Sequence, residues 1–179
     1  TIGTRINVER SREIVAERDG IIRDEFDRAI EESGFLEIEG GTGLDELWDS
    51  VASELHRSMP CCGAPRLAAM LRDREAESST ALNDFVAVPH LITDEGPAFG
   101  VVMVRAREGI RFSEEHPSVK AGFALAGSKD NRNLHLRSVA AIAQVIQDPG
   151  FEQRWLSARD HRELRDLFLL TRRKRGRKI

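Results

Sequence analysis

Hydrophobic residues recur at helical spacing through most of this 179-residue chain and form short continuous runs near its middle. Apolar side chains three or four positions apart are typical of a helix with one buried face, and this spacing predicts helices over 8–32, 44–59, 66–75, 131–147, 150–158 and 160–171. Short runs rich in β-branched residues indicate buried strands, which are predicted over 85–88, 99–106 and 118–127. Strands interleaved with helices predict an α/β fold in which helices cover a sheet.

A glycine-rich segment, GGTG at 40–43, is the best candidate for a domain boundary. The preceding residues, 1–42, mix charges of both signs along a partial apolar stripe, which is typical of a solvent-facing helix or a helical linker. We therefore predict a charged helical arm at 1–42, a globular domain at 43–171 and a basic tail at 172–179.

The charge of the chain is close to balanced, with 27 basic and 30 acidic residues and a net charge of −3. This balance excludes a strongly basic nucleic-acid-binding protein. Six of the seven residues at 172–178 are basic, so the rest of the chain holds 21 of the 27 basic residues against all 30 acidic ones. Such a tail is either a disordered terminus or a segment attracted to anionic lipid, and the sequence leaves both readings open.

The chain holds two cysteines, the adjacent Cys61 and Cys62. Two thiols are too few for a disulfide framework or a four-cysteine zinc site, so we expect reduced thiols in the cytoplasm, with no metal and no cofactor. No apolar run approaches the ~20 residues that a membrane-spanning helix needs. The sequence begins at Thr1, so either an initiator methionine was removed or the chain is a piece of a longer protein.

The segment TALNDFVAVPHL at 80–91 carries the clearest candidate chemistry. Pro89 has a fixed φ and drives Val88 into extended geometry, so His90 stands at a stiff strand end. An imidazole titrates near pH ~6.5, and its neutral form offers a nitrogen lone pair at physiological pH. A lone histidine is more often structural than catalytic, so its function depends on what surrounds it.

The sequence AVPH at 87–90 resembles the phosphorylation-site motif of the type 2 enzyme IIA domains of the sugar phosphotransferase system, the fructose, mannitol and nitrogen-regulatory group. In that family the histidine receives a phosphoryl group from the carrier protein HPr or its nitrogen-branch relative. The resemblance covers about residues 43–171. Three further features match in order and spacing: Arg74-Glu75, a turn threonine at Thr80, and His135-Leu136 after the strand at 118–127.

The resemblance implies a three-layer α/β sandwich with a mixed sheet flanked by helices. It also implies that His90 accepts the phosphoryl group, that Arg74 and His135 stabilise it, and that Thr80 supports the phosphate site. Phosphoryl transfer depends mainly on positioning and on charge stabilisation of the phosphoryl oxygens, and a guanidinium is permanently cationic and forks onto phosphate. The chemistry requires no metal, and Glu75 is interpreted as a surface charge at a helix end.

The predicted arm and tail favour a module attached to a membrane protein. Similar domains occur fused to the cytoplasmic ends of ion antiporters and amino-acid permeases. We therefore expect a cytoplasmic regulatory domain tethered to the inner face of the membrane, whose partners are an HPr-like carrier and the membrane-embedded part of a transporter, with no nucleic acid. A stand-alone sugar-transport subunit is less favoured because it needs no such arm.

Some residues depart from the family pattern and favour a different function. Leu91 replaces the small residue that usually follows the histidine, and Ala81, Asn83 and Phe85 stand where the family has a glycine-rich turn. A bulky Leu91 on the face that a partner approaches would crowd the attack, in which a ~1 Å misplacement costs about 100-fold. The alternative is a non-catalytic interaction or homodimerisation module that keeps the fold without being a phosphohistidine phosphocarrier.

Overall fold

The computed structural model describes Val15 and residues 20–175. Within these residues the helices are α1 (Glu25–Glu31), α2 (Leu44–Ser58), α3 (Ala64–Glu77), α4 (Arg132–Ile146), α5 (Phe151–Ser157) and α6 (His161–Leu169). The strands are β1 (Gly34–Ile38), β2 (Val86–Ala87), β3 (His90–Thr93), β4 (Phe99–Ile110) and β5 (Val119–Ser128), and a 3₁₀ turn, Lys129–Asn131, leads from β5 into α4. No helix in this part of the chain is both long enough and apolar enough to cross a membrane.

The sheet is mixed, with the antiparallel pair β4 and β5 at its centre. β1 runs parallel to β4 along one edge, and β2 and β3 both run parallel to β5 along the other. The two short strands keep one register, since Val86 pairs with Ala121 and His90 pairs with Leu125. Because Pro89 has no N–H to donate, it divides this edge into two strands, and His90 begins the second.

Helices cover both faces of the sheet. Alternate side chains of a strand point to opposite faces, so Val101 and Met103 of β4 join one core while Val102 and Val104 join the other. Helices α1, α4, α5 and α6 cover the first face, and α2 and α3 cover the second. The predicted three-layer α/β sandwich with a mixed sheet is confirmed.

Residues 25–38 belong to the folded body rather than to a separate arm. Helix α1 buries Phe26 and Ile30 in the first core, and β1 pairs along its whole length with β4. The structure differs here from the arm predicted over 1–42. The many charged residues of this segment suggest a solvent-exposed helix, although the two apolar residues four positions apart in α1 are buried. The earlier part of the predicted arm lies outside the described residues, apart from Val15.

The first part of the predicted basic tail also packs on the domain. Arg173 Nη2 lies 2.7 Å from Asp24 Oδ1 and 2.9 Å from Asp27 Oδ1, and Arg175 Nε lies 2.8 Å from Asp27 Oδ2. Asp27 is completely buried, and a buried charge needs such partners. We call these four residues, Asp24, Asp27, Arg173 and Arg175, the α1 clasp. Residues 176–179 lie outside the described part of the chain.

Candidate functional site

His90 is held by its own backbone in a single tautomer. It follows Pro89 directly, is half-buried, and its Nδ1 lies 2.9 Å from the carbonyl oxygen of Val88. A carbonyl oxygen only accepts hydrogen bonds, so Nδ1 carries the hydrogen and donates it. The neutral ring is therefore left with its lone pair on Nε2, which makes that atom the candidate nucleophile.

A relay of hydrogen bonds fixes the backbone on which His90 stands. The Val88 N–H donates to the Thr80 carbonyl oxygen over 2.9 Å. Thr80 is held in turn by Glu75, whose Oε2 accepts from the Thr80 N–H at 3.0 Å and from the Thr80 hydroxyl at 2.5 Å. Glu75, Thr80 and Val88 thus form a continuous support beneath the imidazole, and we call them the His90 support.

Two members of this support differ from their sequence interpretation. The hydroxyl of Thr80 donates its one hydrogen to Glu75, so Thr80 contributes through its backbone, and its hydroxyl has no hydrogen left for a phosphate oxygen. Glu75 is not simply a surface charge, because it anchors the turn. A carboxylate at a helix end five residues before a threonine is the sequence signal that could have identified this contact.

His135 lies beside His90 in the interior. The two ring centroids are 5.6 Å apart with the planes inclined at 60°, and Phe99 lies on another side of His135 at 6.3 Å. His135 is 3% exposed, and neither of its ring nitrogens has a hydrogen-bond partner within the described residues. Burial, followed by the neighbouring His90, lowers the pKa of His135, which favours a neutral ring. Leaving a buried polar group without a partner costs about 1–3 kcal/mol.

Arg74 makes its hydrogen bonds with Ser78 rather than with a histidine. It lies in the last turn of α3 and is half-buried, and its Nη1 donates to the carbonyl oxygen and the hydroxyl of Ser78 at 3.0 and 3.2 Å. Within residues 20–175 no hydrogen bond or ion pair joins Arg74 to His90. Ser78 carries no charge, so this contact does not neutralise the Arg74 guanidinium. The structure thus brings two of the predicted site residues together, His90 and His135, while Arg74 is hydrogen-bonded to Ser78.

Leu91 does not lie on the face of β3 that presents His90. Successive side chains of a strand alternate, so Leu91 points into the core beneath α2 and α3 and is 5% exposed. The sequence expectation that Leu91 crowds an approaching partner is therefore wrong. The exposed apolar side chains near the site are Ile92 on β3 and Leu136 on α4.

The turn before β2 does not need glycine. The Asn83 Oδ1 accepts hydrogen bonds from the N–H groups of Phe85 and Val86 at 2.9 and 2.7 Å, so a side chain shapes the turn. Among the described residues, no residue other than glycine has a positive φ. The missing family glycines thus leave this turn unstrained.

The two imidazoles have complementary chemical capacities. His90 offers a lone pair on a fixed ring, and His135 offers nitrogens that are free to donate or accept. Within the described residues, no three histidine, cysteine or acidic side chains are grouped as metal ligands would be. The arrangement suits attack by His90 on an electrophilic centre whose anionic oxygens His135 contacts.

Residues 49–170 match the family model for the phosphoenolpyruvate-dependent sugar phosphotransferase system, EIIA 2. The mannitol-specific phosphotransferase enzyme IIA component of Bacillus subtilis is 29% identical over 100 residues, which cover 54% of this chain and 66% of that relative, just under two thirds of its length.

Solved structures share the fold at low sequence identity. The nitrogen regulatory protein IIA-Ntr of Neisseria meningitidis is 21% identical with a TM-score of 0.66, over 76% of this chain and 92% of that one. Mannitol enzyme IIA of Escherichia coli is 19% identical with a TM-score of 0.58, over 74% and 94%. The same enzyme in complex with phosphorylated enzyme IIB is 19% identical with a TM-score of 0.58, over 74% and 92%.

Proposed function

We propose that His90 is a phosphoryl-accepting histidine. The premise is that this chain belongs to the EIIA type 2 family of the phosphoenolpyruvate-dependent sugar phosphotransferase system. The observation that carries the proposal is the hydrogen bond from His90 Nδ1 to Val88, which leaves Nε2 unprotonated. Nε2 forms a bond to phosphorus while the bond between phosphorus and the donor's nitrogen breaks. The phosphoryl group then passes to an acceptor, which forms a bond to phosphorus while the bond between phosphorus and Nε2 breaks.

His135 supports this function as a neighbouring donor. Its ring is 5.6 Å from that of His90, and its nitrogens have no partner within the described residues. When the phosphoryl group arrives, its anionic oxygens supply the acceptor that this buried ring lacks. The hydrogen bond from His135 forms only when the phosphoryl group is present. It therefore stabilises the transferring group rather than the free protein, and such an interaction accelerates transfer.

Arg74 supplies positive charge after a change of rotamer. Among the described residues the guanidinium is hydrogen-bonded to Ser78 and to no carboxylate, so leaving Ser78 breaks no ion pair there. Bidentate contact with phosphate oxygens is the stronger interaction. Arg74 therefore turns toward the phosphoryl group when the carrier docks, and Thr80 supports the site through its backbone.

The partners follow from this chemistry. The donor is an HPr-like phosphocarrier, and an enzyme IIB-type protein is a candidate acceptor because a related mannitol enzyme IIA forms a complex with phosphorylated enzyme IIB. The domain would then be a regulatory module at the cytoplasmic face of a membrane transporter. The test is the reading frame upstream of Thr1. Membrane-spanning segments encoded there would support this arrangement, and a reading frame that encodes none would contradict it.

Phosphorylation of the purified chain tests the main proposal. Incubation with phosphoenolpyruvate, enzyme I and HPr, or the nitrogen-branch pair, is expected to give acid-labile phosphate on the wild type and none on His90→Gln. His116→Gln is the matched control, because His116 pairs with Asp84 at the surface and its loss should leave labelling intact. Absence of label with both carrier sets, or label on His90→Gln, would contradict the proposal.

One observation favours the second candidate, a non-catalytic interaction or homodimerisation module. Arg74 is engaged with Ser78 rather than with the histidines. A module of this kind would form a dimer by light scattering and remain unlabelled by every carrier. A monomer that is labelled rapidly would exclude it.

A further inference from the structure

Cys61 and Cys62 lie together in the loop that joins α2 to α3, away from the two histidines. Their sulfur atoms are 3.9 Å apart. Cys61 is exposed, whereas Cys62 is 2% exposed and packs in the second core. The pair therefore combines one thiol that a reagent can reach with one thiol that only its neighbour can reach.

The loop touches the end of β3. The Cys61 sulfur lies 3.9 Å from the carbonyl oxygen of Glu95, and the hydroxyl of Thr93, the last residue of β3, donates to the same oxygen over 3.4 Å. Burial raises the pKa of the Cys62 thiol, so this thiol loses its proton only as it attacks the neighbouring Cys61 sulfur. Cys61 is thus the thiol available to attack first.

We infer that Cys61 and Cys62 form a thiol–disulfide exchange site, oxidised by a small disulfide such as glutathione disulfide. The Cys61 thiolate attacks one glutathione sulfur, which forms a mixed disulfide and releases one glutathione. The Cys62 thiolate then attacks the Cys61 sulfur, which forms the Cys61–Cys62 disulfide and releases the second glutathione. Two protein thiols are oxidised, one glutathione disulfide is reduced, and the two thiol protons leave with the glutathiones.

Proximity makes the second step fast, and strain makes the product reversible. The Cys62 sulfur already lies within 4 Å of its target, so its attack is intramolecular and needs no access from solvent. Consecutive Cα atoms are about 3.80 Å apart, which is shorter than the separation most disulfides bridge, and a strained disulfide is readily reduced. A bond of this kind suits a switch better than a permanent crosslink.

Oxidation has a structural consequence at β3. A disulfide draws the Cys61 sulfur toward Cys62 and away from the Glu95 carbonyl oxygen, which also accepts a hydrogen bond from the Thr93 hydroxyl. Thr93 is on the same strand as His90, three residues away. Oxidation is therefore expected to loosen the β3 end of the sheet edge, and this effect does not depend on the proposed phosphotransfer.

Mass spectrometry on the full chain tests the exchange site. After treatment with glutathione disulfide and alkylation of free thiols, the mass of the wild-type chain is expected to fall by two hydrogens. Both cysteines of the tryptic peptide 58–66 should carry no alkyl group, because they are joined in a disulfide. Cys62→Ser should stop as a mixed disulfide on Cys61, and Cys61→Ser should stay unmodified because Cys62 is shielded. A stable glutathione adduct on the wild type, two alkylatable thiols, or a disulfide between two chains would overturn the assignment.

Hydrogen exchange tests the link to the sheet. The amides of Leu91–Thr93 are expected to exchange several-fold faster in the oxidised chain and to recover on reduction with dithiothreitol. Unchanged exchange in a fully oxidised sample would overturn the coupling to β3. Both measurements are independent of phosphorylation, so failure of the proposed phosphotransfer would leave them standing.

Discussion

The α1 clasp and the pair His90–His135 are two ways of burying ionisable side chains in one small domain. In the clasp, each charge faces an opposite charge: buried Asp27 receives Arg173 and Arg175, and the Arg173 guanidinium also lies 4.8 Å from the centre of the Phe26 ring. In the histidine pair, neither nitrogen of the buried His135 ring has a hydrogen-bond partner in the part of the chain that the structure describes. The carboxylates of the clasp are paired with arginines, so the clasp stabilises the fold, although Arg173 Nε has no hydrogen-bond partner among the described residues. Neither ring nitrogen of His135 has a partner there, and that ring lies beside His90, so the histidine pair is suited to receive a ligand.

The largest expected effect comes from breaking the clasp. Asp27→Ala removes the buried carboxylate that both arginines contact and leaves Arg173 paired with Asp24 alone. Such a loss costs about 3–5 kcal/mol of unfolding free energy. Urea denaturation followed by circular dichroism measures it. Asp94→Ala is the control, because Asp94 pairs with Lys129 at the surface and its loss should hardly move the urea midpoint. Equal midpoints for the two variants would show that the clasp is not stabilising.

The second expected effect is on the rate of phosphoryl transfer through the His90 support. Glu75→Ala releases Thr80, and a displacement of about 1 Å at His90 lowers the rate by about 100-fold. Glu75→Gln keeps one acceptor oxygen and should recover part of that loss. Initial rates of labelling measure the effect, with Glu77→Ala, an exposed carboxylate on the same helix, as control. If Glu75→Ala and Glu77→Ala transfer equally fast, the support has no role in positioning.

The third prediction separates stability from function at His135. His135→Phe removes the buried nitrogens that have no partner, so it is expected to stabilise the domain by about 1 kcal/mol while slowing phosphoryl transfer. His56→Phe is the matched control: His56 Nδ1 contacts the Cys62 carbonyl oxygen at 2.7 Å, so its replacement should destabilise the domain. A destabilised His135→Phe with full transfer activity would reverse this interpretation.

The smallest expected effect is a dependence of stability on pH. The pKa of His135 is lowered in the folded chain by burial and then by His90, whereas an unfolded histidine titrates near ~6.5. The unfolded chain therefore takes up the proton first, and stability is full above pH ~6.5 and falls as the pH drops below it. Melting temperatures between pH 8 and pH 5 should decline less for His135→Phe than for the wild type. Parallel curves would assign the decline to other groups.

Local patterns predicted the regular elements where many apolar residues agree. The helix expected over 44–59 is observed at Leu44–Ser58, and the strand expected over 118–127 is observed at Val119–Ser128. In contrast, β1 was not predicted as a strand, because its five residues alternate only weakly. A short edge strand acquires its structure from its partner, and that partner, β4, is more than sixty residues away in sequence.

Two side chains near the candidate site have roles that depend on the tertiary structure. Glu75 has an ordinary helix-end position in sequence, and only the folded turn brings Thr80 to its carboxylate. Leu91 follows the histidine directly, and only strand geometry turns it to the opposite face. The roles of His90, His135, Arg74 and Thr80 in phosphoryl transfer stay predictions that the labelling experiments test.

The sequence by itself determined the fold class, the family and the motif around His90, because these depend on residue types at short and regular spacing. The tertiary structure decided which ionisable groups are paired. Arg173 and Asp27 are nearly 150 positions apart, as the α1 clasp requires, and His135 approaches His90 only when α4 packs on β3 and β5. Charge pairing and burial depend on distances in space, which no local pattern of residues encodes.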